Sequence, residues 1–222
     1  MNTVILTKTY ADLPFCKKEI LRYAGCKSVD AQTDGLLSEC IAGTDGKTNG
    51  KICYTVLPVT VCGTICDFEY FRLNSKNLSR NLEHCERVIV FAATVGVEID
   101  RLIQKYGHIS PAKALMFQAI GAERIETLCD AFCREMEKEV GKALKPRFSA
   151  GYGDLPLEAQ KDIFSLLGPE KRIGLTLGDS MLMSPTKSVT AFAGISDSET
   201  TVTENKCELC EKQDCIYSRG AI

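Results

Sequence analysis

Arg147, Gly151, Tyr152, Gly153 and Asp154 fall together in the run Arg147-Phe148-Ser149-Ala150-Gly151-Tyr152-Gly153-Asp154. The guanidinium of an arginine is a fixed planar fork of donors that can hold a carboxylate by two parallel hydrogen bonds. Glycines admit positive φ and let main-chain N–H and C=O groups approach a ligand closely. The tyrosine between them adds an aromatic face and a hydroxyl. Together these groups suit a small zwitterion with a carboxylate and an apolar or cationic portion. The plainer alternative is a surface loop with a turn. Asp154 reads as a helix N-cap rather than a ligand.

Three further stretches give the run a context. They are Phe91-Ala92-Ala93-Thr94-Val95-Gly96-Val97-Glu98-Ile99-Asp100 before it, then Ile173-Gly174-Leu175-Thr176-Leu177 and Ser180-Met181-Leu182-Met183-Ser184-Pro185-Thr186-Lys187-Ser188-Val189 after it. In this order and spacing they resemble the reactivation domain of cobalamin-dependent methionine synthase, most of all its stand-alone relatives. The Arg-x-x-x-Gly-Tyr run resembles that family's S-adenosylmethionine (SAM) motif. The resemblance covers roughly residues 75–195 and does not extend to the cysteine-rich tail. Where the family's multidomain members carry more prolines around the motif, this chain has Phe148 and Ala150.

The resemblance implies an accessory, SAM-binding role in the reductive methylation of Co(II) cobalamin carried by a partner. That partner is methionine synthase or another corrinoid methyltransferase protein, with a flavodoxin- or ferredoxin-like electron donor. In that reading Arg147 holds the SAM carboxylate, and Ser149 and Gly151 give main-chain contacts. Tyr152 either lies between SAM and cobalamin, the one catalytic assignment, or is a half-buried anchor of the turn. Glu126 takes the SAM amino group, helps hold the loop, or sits on a solvated helix face. Lys187, in a turn entering a strand, contacts ligand or corrinoid, or is simply exposed. No nucleophile–base pair is evident, and methyl transfer from a sulfonium needs none. The chain would be part of a methyltransferase system rather than an enzyme acting alone.

Composition bounds the alternatives. At 222 residues, 45% hydrophobic and 25% charged, the chain can bury a real core. A formal charge of −2 gives no electrostatic reason to expect nucleic acid or an anionic membrane. No apolar run reaches the ~20 residues of a membrane span, and the N-terminus lacks the layout of a signal peptide. Twelve cysteines, mostly in apolar surroundings, suit free thiols in a reducing cytoplasm better than disulfides.

The elements expected to position the motifs form an α+β domain, with long helices on a mainly antiparallel sheet. Residues 1–50 read as a helical N-terminal subregion, with helices over 14–24 and 31–42. Residues 51–196 read as the SAM-binding domain and 197–222 as a linker and Cys-rich tail. The β-branched run 52–73 predicts two or three strands, with Gly63 breaking them. The apolar run 88–92 predicts a strand buried on both faces, and Asn77–Cys85 a short helix. Thr94-Val95-Gly96 then leads into a helix, a layout that can present N–H groups to a ligand. A helix from Pro111 to about Leu144 has an apolar stripe of Leu115, Ala119, Leu128, Phe132, Met136 and Val140. Glu123, Glu126 and Asp130 share its other face, which for two of the three reads as solvated. A helix from Asp154 to Leu167 and strands at 173–177 and 188–195 complete the set.

The tail carries Cys207, Cys210 and Cys215, whose first pair has zinc or iron–sulfur spacing. Only three ligands are local. A metal-binding or redox interaction module is therefore the alternative class of function. A scaffold that has lost SAM binding is a third.

Overall fold

A computed structural model describes residues 3–26 and 28–196. Strand β1 (Leu6–Tyr10) precedes helices α1 (Lys17–Tyr23) and α2 (Ala31–Thr44). Next come β2 (Gly50–Pro58), β3 (Thr60–Cys62), β4 (Ile65–Asp67), β5 (Arg72–Asn74), α3 (Lys76–Asn81), β6 (Cys85–Thr94), α4 (Glu98–Gly107) and α5 (Pro111–Val140). The described residues continue with α6 (Gln160–Leu167), α7 (Pro169–Ile173), β7 (Thr176–Leu177), β8 (Met183–Ser184) and β9 (Ser188–Ser196).

The main sheet runs β1-β2-β6-β9, antiparallel throughout. Strict alternation along its central strands sorts side chains into two cores. Ile89, Phe91 and Ala93 of β6 and Val95 just after it, with Ala191, Ala193 and Ile195 of β9, face α5. Val88, Val90 and Ala92, with Phe192, face the other way, onto the small β3–β4–β5 sheet and α6. The apolar run 88–92 is thus buried on both faces, as its lack of alternation predicts. The α+β class and the mainly antiparallel sheet agree with the sequence reading.

Helix α5 starts at Pro111, whose missing N–H costs nothing in a first turn. Its last residue is Val140, four short of the predicted Leu144, and left-handed Gly141 caps it. Its buried stripe begins at Met116, not at Leu115, which is exposed. Residues 143–148 do not continue the helix. They lie extended along the outer edge of β9, pairing Leu144 with Ile195 and Phe148 with Phe192. The 52–73 region makes β2 to β5 rather than two or three strands.

The N-terminal region holds strand β1 besides its two helices, and Ile20 and Leu37 of those helices join the core of α5. A buried ion pair fixes this arrangement. Glu123 and Arg124 on α5 are 1% and 4% exposed. Arg124 Nε and Nη2 donate to Glu123 at 2.6 and 2.7 Å, and Arg124 also donates to the carbonyls of Leu13 and Pro14. Glu123 accepts from the Cys16 N–H and the Thr127 hydroxyl. Its predicted place on a solvated face is therefore wrong: tertiary partners, not water, satisfy it.

Candidate functional site

Arg147 leaves the β9 edge on the side opposite Phe148, toward α5. There its Nη1 donates to Asp130 Oδ1 at 2.5 Å and its Nη2 to Glu126 Oε2 at 2.8 Å. The arginine side chain is 13% exposed, whereas Glu126 and Asp130 are 38% and 43% exposed. Burial alone would lower the pKa of this guanidinium, but its negative neighbours outweigh that and raise it. At neutral pH those neighbours are Asp130 and Glu126, because burial pushes the nearby Cys129 and Cys133 thiols up and keeps them protonated. Glu126 thus helps hold the loop through Arg147, one of the three roles considered for it, while 38% of its side chain stays exposed. Asp130, passed over with the solvated face, is its equal partner. The signal was present as an i, i+4 acidic pair on one helix.

The Gly-Tyr-Gly turn closes on itself. Gly151 N–H donates to Leu155 O at 3.0 Å, and Tyr152 N–H to Ser149 O at 3.2 Å. The main-chain groups expected from Ser149 and Gly151 are partly used inside the loop. Tyr152 is 64% exposed, so it is not the half-buried anchor considered, and its ring tilts against Phe148 at 6.3 Å. The anchor is Asp154, which accepts from the Ser75 hydroxyl and from the N–H groups of Lys76 and Asn77. It is a cap, as its type predicts, but of the distant α3 rather than of the helix that follows it. Gly153 has φ +55°, and a Cβ there would lie 2.1 Å from the Asn77 side chain, so the turn is packed directly on α3.

These bonds, the Ser75 hydroxyl foremost, hold the Asp154 carboxyl below its usual value of about 3.9. A depressed carboxyl stabilises the fold above its unfolded pKa, and that contribution is lost as pH falls through the lower folded value. Acid melts of wild type and Asp154→Asn should therefore diverge at neutral pH and converge toward pH 2. A constant gap across that range would show that Asp154 does not act as a charged cap.

Lys187 lies farther along α5. Its Nζ donates to Gln118 Oε1 at 2.5 Å. Its stem crosses Gly121, where a Cβ would come within 2.8 Å of Lys187 Cγ and of Ile99 Cγ2. It is half-buried rather than simply exposed, and burial holds its ammonium below the usual lysine value, with Asp100 opposing. Asp100 in turn accepts from Thr186 N–H at 2.8 Å. Thr94 is structural: its hydroxyl accepts from Ser188 and from Gly96 N–H, so one of the N–H groups in the turn before α4 is already satisfied.

The two ends of the site are set by α5. Gln118 and Glu126 are eight residues apart, about 12 Å along the axis. Between them no described strand pairs with the outer edge of β9, although Thr190 in that stretch is only 2% exposed. The run 143–148 covers that edge only as far as Phe192. By alternation the main-chain N–H and C=O of Thr190 point outward there, with no strand beyond them among the described residues. Thr190 and Gln118 carried no sequence motif. Arg147 with its two acids thus stands toward one end of this side of α5 and Lys187 with Gln118 toward the other. Neither the cavity of about 370 Å³ beside Tyr70 and Asp162 nor that of about 230 Å³ beside Leu13 and Thr44 is lined by Arg147, Tyr152 or Lys187.

Cys207, Cys210 and Cys215 lie outside the described residues. Among the described residues no three His, Cys, Asp or Glu side chains gather as metal ligands. No described helix is long and apolar enough to cross a membrane.

No family model matches the chain, and no curated protein matches it. Among solved structures the chain is similar to the MetH reactivation domain bound to AdoHcy, with a TM-score of 0.64 and 14% sequence identity. The likeness covers 89% of this chain and 80% of that one. At that identity it shows a shared fold.

Proposed function

We propose that this chain binds SAM beside Arg147, between α5 and the outer side of β9, as the SAM-holding component of a corrinoid reactivation system. The observation that carries the reading is the likeness, over most of the chain, to a domain bound to AdoHcy. The charge set fits the ligand: one guanidinium for a carboxylate, and two carboxylates, Glu126 and Asp130, for cationic groups.

Bound there, SAM would supply an electrophilic methyl group to a reduced corrinoid on methionine synthase or a similar partner. The work of this chain is positioning. Arg147 and its acids orient the amino-acid arm, the pinned Gly-Tyr-Gly turn fixes the Tyr152 ring at the rim, and Lys187 closes the far end. Reduction would come from a separate flavodoxin- or ferredoxin-like donor.

The test is calorimetric titration of the intact protein with SAM and with AdoHcy. Saturable binding at one site per chain is expected. No heat with either ligand, repeated in the presence of a cobalamin-loaded methionine synthase, would overturn the reading.

A further inference from the structure

Resting on the SAM reading above, we infer that Glu126 and Asp130 make the site favour the charged methyl donor over its demethylated product. The geometry is that of a cation enclosed by a larger negative charge. Arg147 sits deeper than both carboxylates, which are each about three times more exposed and face the solvent in front of it. Two of its five N–H donors are engaged by them. Before any ligand arrives, one positive charge stands against two negative ones, and the neighbouring Cys133 thiol adds none.

A ligand carboxylate joining Arg147 makes that imbalance worse unless the ligand brings cations with it. SAM brings two, an ammonium and a sulfonium, and leaves the cluster neutral. AdoHcy has lost the sulfonium charge and leaves it net negative. A ligand with a carboxylate alone is worse by one more charge. Two partly exposed carboxylates acting on one sulfonium a few ångströms away are worth on the order of tenfold in affinity. Transfer of the methyl group therefore weakens the hold on what remains, and the acid pair promotes product release. Asp130 and Glu126 are specificity-determining residues in this scheme, and Arg147 is common to both ligands.

The experiment is to titrate SAM, AdoHcy and decarboxylated SAM into wild type, Glu126→Gln, Asp130→Asn, the double variant and Arg147→Ala, with a thermal melt of each. Wild type should bind SAM roughly tenfold more tightly than AdoHcy. The double variant should bring the two within about twofold, mainly by weaker SAM binding, with each single variant between. Decarboxylated SAM should lose affinity in the double variant and hold or gain it in Arg147→Ala. A SAM-to-AdoHcy ratio that the double variant leaves unchanged, or a wild type that prefers AdoHcy, overturns the inference while leaving the binding site in place. Failure of wild type to bind either adenosyl ligand overturns the SAM reading and this inference with it.

Discussion

Arg124→Met should lower stability by roughly 3–5 kcal/mol, a fall in melting temperature of roughly 6–20 °C for a chain of this size. The reason is what remains. Glu123 is 1% exposed and would keep its negative charge, or gain a proton, at a site built to hold a carboxylate. It would retain the Cys16 N–H and the Thr127 hydroxyl but lose both guanidinium bonds. The carbonyls of Leu13 and Pro14 would lose their donors too, so the chain entering α1 loosens from α5. The stacking of the guanidinium on Phe15, 3.8 Å from the ring centroid, goes with them. Replacing Glu123 and Arg124 together by methionines should cost less than the two single changes added, because neither charge is then left alone. Additive losses would mean that the two residues stabilise the fold independently.

Arg147→Ala is the counterpart on the functional side. SAM affinity should fall roughly 10- to 100-fold, the range expected for losing charge-assisted hydrogen bonds to a ligand carboxylate. Stability should change little by comparison. Glu126 and Asp130 are partly exposed and can be hydrated when the guanidinium is gone, unlike buried Glu123. The backbone of residue 148 keeps its two bonds to Phe192, so the edge strand survives. Arg147→Lys should fall between, since a single ammonium cannot span both acids and a carboxylate. Unchanged SAM affinity in Arg147→Ala, with the fold intact, would place the binding site elsewhere on the molecule.

The contrast between these two arginines also marks the reach of the sequence. Arg147 stood out because glycines and a tyrosine follow it at short range, and because that pattern resembles a known motif. Arg124 sits in a helical stretch with no such pattern, next to a glutamate that amphipathic spacing places on a polar face. Nothing local distinguishes a solvated Glu–Arg pair from a buried one. The difference is made by residues 13–16, more than 100 positions away, laying their carbonyls and one N–H over it. The same limit explains Asp154, whose type announces a cap but whose partner helix begins 78 residues earlier.

Local rules served well where the cause was local. The uninterrupted apolar run in β6 and the first-turn proline of α5 each follow from a few adjacent residues, and each element formed where those residues placed it. Boundaries slipped where a distant edge was on offer. Residues 143–148 have ordinary helix formers among them, yet the open side of β9 offers backbone partners that a frayed last turn does not.

Local chemistry along the chain thus encodes the class of fold, the one strand read as buried on both faces, and the segment whose chemistry suits a zwitterionic ligand. Those depend on hydrophobic periodicity and on side-chain type, both written locally. Packing settled that Arg147 pairs with both Glu126 and Asp130, that Lys187 crosses α5 at Gly121, and that no described strand follows β9 on its outer side. Each of these is a pairing across the chain, fixed by how helix and sheet pack, and no spacing within one segment encodes it.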